Sequence, residues 1–325
     1  VYMVQRDERL VFVALGGNAF QSIGDRGTPE DYWRNALTAA EVIASIVEEG
    51  YRVVVTHGNG PQVGIVSEWM EHLKSKIPPQ TLDIAGAMTQ GWLGYLLTQA
   101  IHNTLADKGL LSRVKGAIAV VNRVAVRDDD PAWSNPTKFV GGWYTDESEV
   151  ERLSKEKGWV FKKDPRGGWR RVVPSPDPYR NVEVDAVKTL LDSGWIVVAS
   201  GGGGIPVVEM GGGRLVGREA VIDKDLAGEV LATELGAGHF IILTDVDGAY
   251  LSYGRDGAQK LGKVTVSQLE QYYREGHFPP GSMGPKVLAC IRFIRHGGLR
   301  AAIGHLREGH DVVRGSKGTQ VFPDV

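Results

Sequence analysis

Apolar residues in this chain come mostly in short, nearly unbroken runs separated by longer amphipathic stretches. Runs at 10–15, 51–56, 117–121, 195–200, 240–244 and 300–303 are rich in Val, Ile, Leu and Ala. Strands covered by helices on both faces read this way, because neither side of the strand meets water. The stretches between them predict helices over 29–49, 61–74, 82–108, 183–193, 224–235 and 285–296. Thr28 stands as N-cap of the first helix, and Gly50 and Gly109 stop the first and the third. In the last helix Pro285 is expected at the first position, with Lys286 just inside. Strand–helix alternation of this kind builds a mainly parallel open α/β sheet with right-handed crossovers.

One stretch breaks the rhythm. Residues 128–178 hold four of the eight Trp and six of the fifteen Pro, with mixed charge and weak periodicity. A chain so rich in Trp is not disordered, and a long insertion in a compact domain usually serves function. It is expected to be a protruding subdomain, a lid, inserted within a single domain spanning 1–325.

Composition narrows the class. With 42% hydrophobic residues the chain can bury a substantial core, and a formal charge of −2 offers no basic face for nucleic acid. No apolar run approaches the roughly 20 residues needed to span a bilayer, so no membrane partner is expected. The first ten residues are charged and lack an apolar signal core. Cys290 is alone, which rules out an internal disulfide and fits a cytoplasmic protein; within its apolar run it reads as a small buried hydrophobe.

The 43 Gly residues gather where strands end. Gly16-Gly17-Asn18 follows the first strand, Gly58-Asn59-Gly60 the second and Gly201-Gly202-Gly203-Gly204 the fourth, and Thr244-Asp245-Val246-Asp247-Gly248 closes the fifth. Open α/β sheets bind ligands beyond the carboxyl ends of their strands. Glycine there lets backbone N–H groups approach an anion, and a following helix adds positive potential. Four such turns together point to phosphate-bearing ligands. The chain has no Gly-x-x-x-x-Gly-Lys-Ser/Thr loop, its Gly58-Asn59-Gly60 spacing misses the dinucleotide fingerprint by one residue, and it carries neither His-Glu-x-x-His nor Gly-x-Ser-x-Gly. P-loop NTPase, dehydrogenase, zinc hydrolase and serine hydrolase are set aside.

The charged candidates stand at helix starts and in the insertion. Asp223-Lys224-Asp225 opens one helix, and on its own could be plain capping. Lys286 lies in a first helical turn, where a cation is disfavoured unless an anion faces it. Lys138 ends Asn135-Pro136-Thr137-Lys138 in the insertion.

At these residues the chain resembles a known family. Ala14 to Ala19, Thr56 to Gly64, Asn135 to Lys138, Ser200 to Pro206, Asp223 to Asp225, Thr244 to Val246 and Gly281 to Lys286 are similar, in this order, to the signature segments of the carbamate kinase family. That family belongs to the amino acid kinase superfamily. The resemblance runs from about Leu10 to about Phe322, essentially the whole chain. It implies a three-layer α/β/α sandwich with a mainly parallel sheet, usually dimeric. The implied reaction is ATP + carbamate ⇌ ADP + carbamoyl phosphate, with Mg²⁺ carried mainly by the nucleotide phosphates. It further implies Lys138, Lys224 and Lys286 as phosphate-contacting lysines and Asp225 as the acid that orients them. Gly16, Gly17, Asn18, Gly58, Asn59, Gly60, Gly202 and Gly203 would hold substrate and phosphate. Asp223, Thr244, Asp245, Val246, Tyr250, Met283 and Gly284 would hold the nucleotide.

Two departures bear on this. Relatives that phosphorylate acetylglutamate carry a Lys just before the first Leu-Gly-Gly; here that position is Ala14, and Lys224 looks like its replacement from another strand end. In the insertion Phe139-Val140-Gly141-Gly142-Trp143-Tyr144 stands where the family has a proline-rich segment, which loosens it. The alternatives are a superfamily kinase for another small carboxylate or phosphate acceptor, and a nucleotide-binding regulator without catalysis.

Overall fold

The computed structural model describes residues 6–22, 24–164, 167–253 and 257–324. Its main sheet runs, edge to edge, through Lys263–Thr265, Thr319–Phe322, Arg300–His305, Ala237–Thr244, Asp7–Leu15, Arg52–His57, Ile196–Val198 and Ala117–Ala119. Neighbours are parallel throughout except Arg300–His305 against Thr319–Phe322. All six strands expected from the apolar runs are in this sheet.

Alternation along each strand explains why those runs looked continuous. Val11, Val13 and Leu15 pack with Val53, Val55, Ile241 and Leu243 under the helices Pro29–Glu48 and Leu82–Asp107. Leu10, Phe12 and Ala14 face the other way, with Val54, Phe240 and Ile242, against Lys224–Glu234 and Met283–Arg295. Each face buries its own apolar set, so the central part of each run is kept from water on both sides. The result is a three-layer α/β/α sandwich. Cys290 is fully buried in the second layer, and burial pushes its thiol pKa well up.

Helix ends follow their local chemistry. Thr28 caps Pro29–Glu48 with a reciprocal box to Asp31. The last predicted helix begins two residues earlier than expected, at Met283, which moves Pro285 to the third position and Lys286 to the fourth. Proline costs nothing there, because the first four N–H groups of a helix have no helical partner. Among the described residues no helix is long and apolar enough to cross a membrane.

Sequence periodicity missed a second sheet, ordered Arg214–Gly217, Ile205–Met210, Arg123–Val126, Pro178–Asn181. Its strands are short and half exposed, so they carry little apolar signal. Residues between Arg123–Val126 and Pro178–Asn181 build a third, antiparallel sheet ordered Lys138–Tyr144, Trp169–Val173, Val160–Lys163, with helix Glu147–Lys157 against it. This unit rests on helix Gly60–Leu73. A Cβ built on Gly64 would lie 1.9 Å from the Gly141 Cα, and Gly141 itself has φ +70°. Two glycines back to back are what allow the backbones to touch.

Gly64→Ala is therefore expected to force the inserted unit off that helix. Overpacking of this kind costs about 1–3 kcal/mol, and urea unfolding should read it as a lowered midpoint. An unchanged midpoint would mean that the seat yields freely.

Candidate active site

The carboxyl ends of the central strands meet in one place. Leu15, His57 and Thr244 end neighbouring strands, and their turns border two adjoining hollows. The larger, about 720 Å³, lies between the sheet and the inserted unit. Gly17, Gly58, Asn59, Gly60 and Gly202 form its floor, Asp223 and Lys224 one wall, and Lys138 and Arg170 its roof from the inserted unit. The smaller, about 260 Å³, takes Thr244, Asp245, Val246 and Tyr250 from one side and Met283 and Lys286 from the other. Asp223, expected with the nucleotide group, borders the larger hollow instead.

The lysines and acids form three ion pairs, two of them on one carboxylate. Asp225 is 1% exposed and takes Lys224 Nζ on Oδ1 at 2.5 Å and Lys286 Nζ on Oδ2 at 3.1 Å. Asp223 takes Lys138 Nζ on Oδ2 at 2.6 Å. Its other oxygen accepts the Asp225 N–H at 2.9 Å and the Leu226 N–H at 3.4 Å. The capping role of Asp223 is thus real, and it frees only one oxygen for the lysine. Each lysine that looked unexplained near a helix start has its anion within reach.

Burial opposes charge throughout, and neighbours decide the outcome. Burial raises Asp223 and Asp225, but the surrounding lysines pull both below the ordinary carboxylate range. Lys224 is pulled down by burial and by Lys286, with Asp225 holding it up in part. Lys286 ends above its usual value because Asp225 and Asp223 outweigh its burial. Three ammonium groups face two carboxylates, so the cluster keeps one positive charge for an anionic ligand.

The glycines divide by task. A Cβ on Gly58 would meet Lys224 Cδ at 3.4 Å and Gly17 Cα at 3.8 Å, so the lysine stem lies against the second turn where it approaches the first. Gly202 has φ +65°, and a Cβ there would sit 2.2 Å from Asn59 Nδ2, which donates to Thr89. Gly16 and Gly203 are spent on packing: Gly16 N–H donates to the Leu243 carbonyl, and Gly203 lies against the Ile222 carbonyl. Gly284 likewise donates to the Pro279 carbonyl. Asn18 follows Gly17 in a short helical turn, and its side chain is outside the described residues.

Three residues escaped the sequence reading. Arg170 reaches the larger hollow, with its guanidinium over the rings of Phe139 and Trp143; an Arg beside another Arg in a charged insertion carries no distinguishing mark. Ser200 opens the third glycine turn with φ +53°, held by Asn122, Asn181 and Thr56. His57 is fully buried edge-on to Phe20 at 5.2 Å, and its Nδ1 lies 3.0 Å from the Gly58 carbonyl oxygen. A carbonyl only accepts, so Nδ1 carries the proton. Burial pulls this ring down to about 4, aided by the Lys224 charge and opposed by the Gly58 bond.

His57 should leave a signature in pH-dependent stability. Its folded pKa lies below the usual 6.5, so its contribution is whole above that value and lost as pH falls toward 4. The shift corresponds to about 3 kcal/mol. Urea unfolding of His57→Gln at pH 7 and pH 4 should show a smaller difference than the parent by roughly that amount. Equal losses in both proteins would reject it.

The amino acid kinase family model matches residues 9–305. The carbamate kinase of Pyrococcus horikoshii is 52% identical over 318 residues, covering 97% of this chain and 99% of that one. A solved structure from Aeropyrum pernix superposes with a TM-score of 0.90 at 47% identity, covering 97% of this chain and 100% of that one. The carbamate kinase of Giardia lamblia, solved with AMP-PNP bound, gives 0.88 at 36% identity, covering 98% and 99%. This chain belongs to the amino acid kinase family, and within it to the carbamate kinases.

Proposed function

We propose that the two hollows hold the two ends of one phosphoryl transfer, with Asp225 as the hinge between them. As a carbamate kinase the enzyme catalyses reversible transfer between carbamoyl phosphate and ADP. The observation that carries the assignment of residues is the pair of lysines on a single buried carboxylate. Lys286 borders the smaller hollow and Lys224 the larger, and Asp225 fixes both ammonium groups.

The adenine side of the nucleotide enters the smaller hollow between Val246, Tyr250 and Met283. Its terminal phosphates run along Lys286 toward Lys224. Carbamate or carbamoyl phosphate occupies the larger hollow above Gly17, Gly58 and Asn59, under Lys138 and Arg170. Transfer requires alignment and charge neutralisation more than covalent help. Carbamate attacks the terminal phosphorus through an oxygen that is already anionic, so no side chain need take a proton. Neutral His57 does not compete for that role. Lys224 and Lys286 stabilise the charge that spreads over the moving phosphoryl oxygens, and in reverse the same groups receive it on ADP.

Mg²⁺, brought by the nucleotide, would supply neutralisation of the phosphate charge. Among the described residues no group of three or more His, Cys, Asp or Glu stands ready to hold a metal. Asp223 and Asp225 are engaged by lysines, so this donor set suits an ion brought by the nucleotide. The unit within 128–178 is proposed as a lid that excludes water from the labile carbamate and carbamoyl phosphate. Cytoplasmic location is proposed on the lone buried Cys290.

A homodimer is proposed from the family resemblance and from one apolar face. Ile84, Met88 and Tyr95 lie on one side of helix Leu82–Asp107 and stay exposed, beside exposed Trp69 stacked on Trp92. Patches of this kind mark association surfaces. Sedimentation should give twice the chain mass, and Met88→Asp with Tyr95→Asp should halve it; an unaltered dimer would place the contact elsewhere.

Lys224→Ala should lower kcat by on the order of a hundred- to a thousand-fold in a folded enzyme, the usual cost of losing one transition-state contact. ATP formation from carbamoyl phosphate and ADP reads it, beside controls with acetylglutamate and aspartate as acceptors. Near-normal turnover would remove Lys224 from the mechanism.

A further inference from the structure

A third hollow, about 250 Å³, lies at the root of the inserted unit, away from the residues that border the other two. Strand Trp169–Val173 separates it from the larger one. Successive side chains on a strand point to opposite faces, so Arg170 borders the active-site hollow while Arg171 borders this one. Arg171 stacks on Trp159, with its guanidinium carbon 3.8 Å from the ring centroid. It has no hydrogen-bond or ion-pair partner among the described residues. Burial pulls its pKa down to about 10, opposed by the charges of Glu219 and Tyr144.

The two acids that border this hollow are otherwise engaged. Glu71 is bound by both Lys74 and Lys157, and Glu219 accepts the Leu82 N–H at 3.0 Å. On the wall of the hollow Lys157 and Arg171 stand against these two carboxylates; Lys157 is paired with Glu71, and the fork of Arg171 is the donor set left over. Thr81, on the opposite wall, makes no capping bond with its hydroxyl. Arg171 is partly buried, and its planar fork opens on the hollow, where a planar or tetrahedral oxyanion matches its geometry.

We infer that this hollow is a second binding site, for a small carboxylate- or phosphate-bearing anion gripped by Arg171 against the face of Trp159. Such a ligand ties the inserted unit to the 79–82 loop and sits one residue from Arg170. It is separate from the phosphoryl-transfer site, so its existence does not depend on the roles given above to the lysines.

The test is ¹⁹F NMR of the full-length enzyme carrying 5-fluorotryptophan, with Trp159 and Trp143 assigned from W159F and W143F. Inorganic phosphate and succinate are titrated separately. The Trp159 resonance should shift saturably with at least one probe, and which one responds tells phosphate from carboxylate recognition. In R171Q that shift should vanish while Trp143, in the active-site hollow, still responds to phosphate. Should R171Q fail to fold, R171K serves, with Trp159 affinity weakened about tenfold. A Trp159 that ignores both probes, or that responds equally without the Arg171 fork, overturns the site.

Discussion

Everything at the active site depends on one buried carboxylate sharing itself between two lysines. Asp225 lies at the start of a helix, 1% exposed, where an unpaired charge would cost several kcal/mol. Lys224 and Lys286 remove that cost, and in return Asp225 fixes where their ammonium groups point. The acid cannot be satisfied without bringing two hollows together, because its two lysines border different ones. Ion-pair geometry and substrate geometry are the same constraint.

The glycine turns are the other half of that constraint. Lys224 lies against Gly58, and Gly202 can approach Asn59 only because it carries no side chain. Strain at Ser200 is held by three hydrogen bonds from residues on separate segments. The floor is thus rigid before any ligand arrives, which is what a reaction driven by positioning needs. The roof is built differently. Lys138 and Arg170 come from a small antiparallel sheet seated on helix Gly60–Leu73 through a glycine–glycine contact and an apolar cluster of Val63, Val66, Val140 and Val173.

Sequence reading found six strands of the main sheet because their runs are apolar on both faces, and six helices between them; it did not find the edge strands Lys263–Thr265 and Thr319–Phe322 or the helices Glu147–Lys157, Val266–Arg274 and Gly309–Arg314. It missed the sheet containing Ile205–Met210 because short, half-exposed strands lack a distinctive pattern. It gave Pro285 the wrong helical position because the turn at Pro279 starts the helix early through backbone bonds that no residue type announces. Gly16, Gly203 and Gly284 were grouped with the ligand turns, although their N–H groups are committed to main-chain carbonyls or their free face is filled. From the sequence alone a glycine that packs and a glycine that cradles look alike.

By itself the sequence determined the layered α/β architecture, the gathering of glycine turns at strand ends and the family, since each follows from local pattern and ordered motifs. Tertiary structure alone decided which acid serves which lysine. Asp223 and Asp225 are two residues apart on one helix start, yet one takes Lys138 from the inserted unit and the other takes Lys224 and Lys286. Helical rotation turns neighbouring carboxylates toward different parts of the molecule, and only packing says what stands there. The same reason separates Arg170 from Arg171: strand alternation sends them to opposite hollows, and no property of either residue records which.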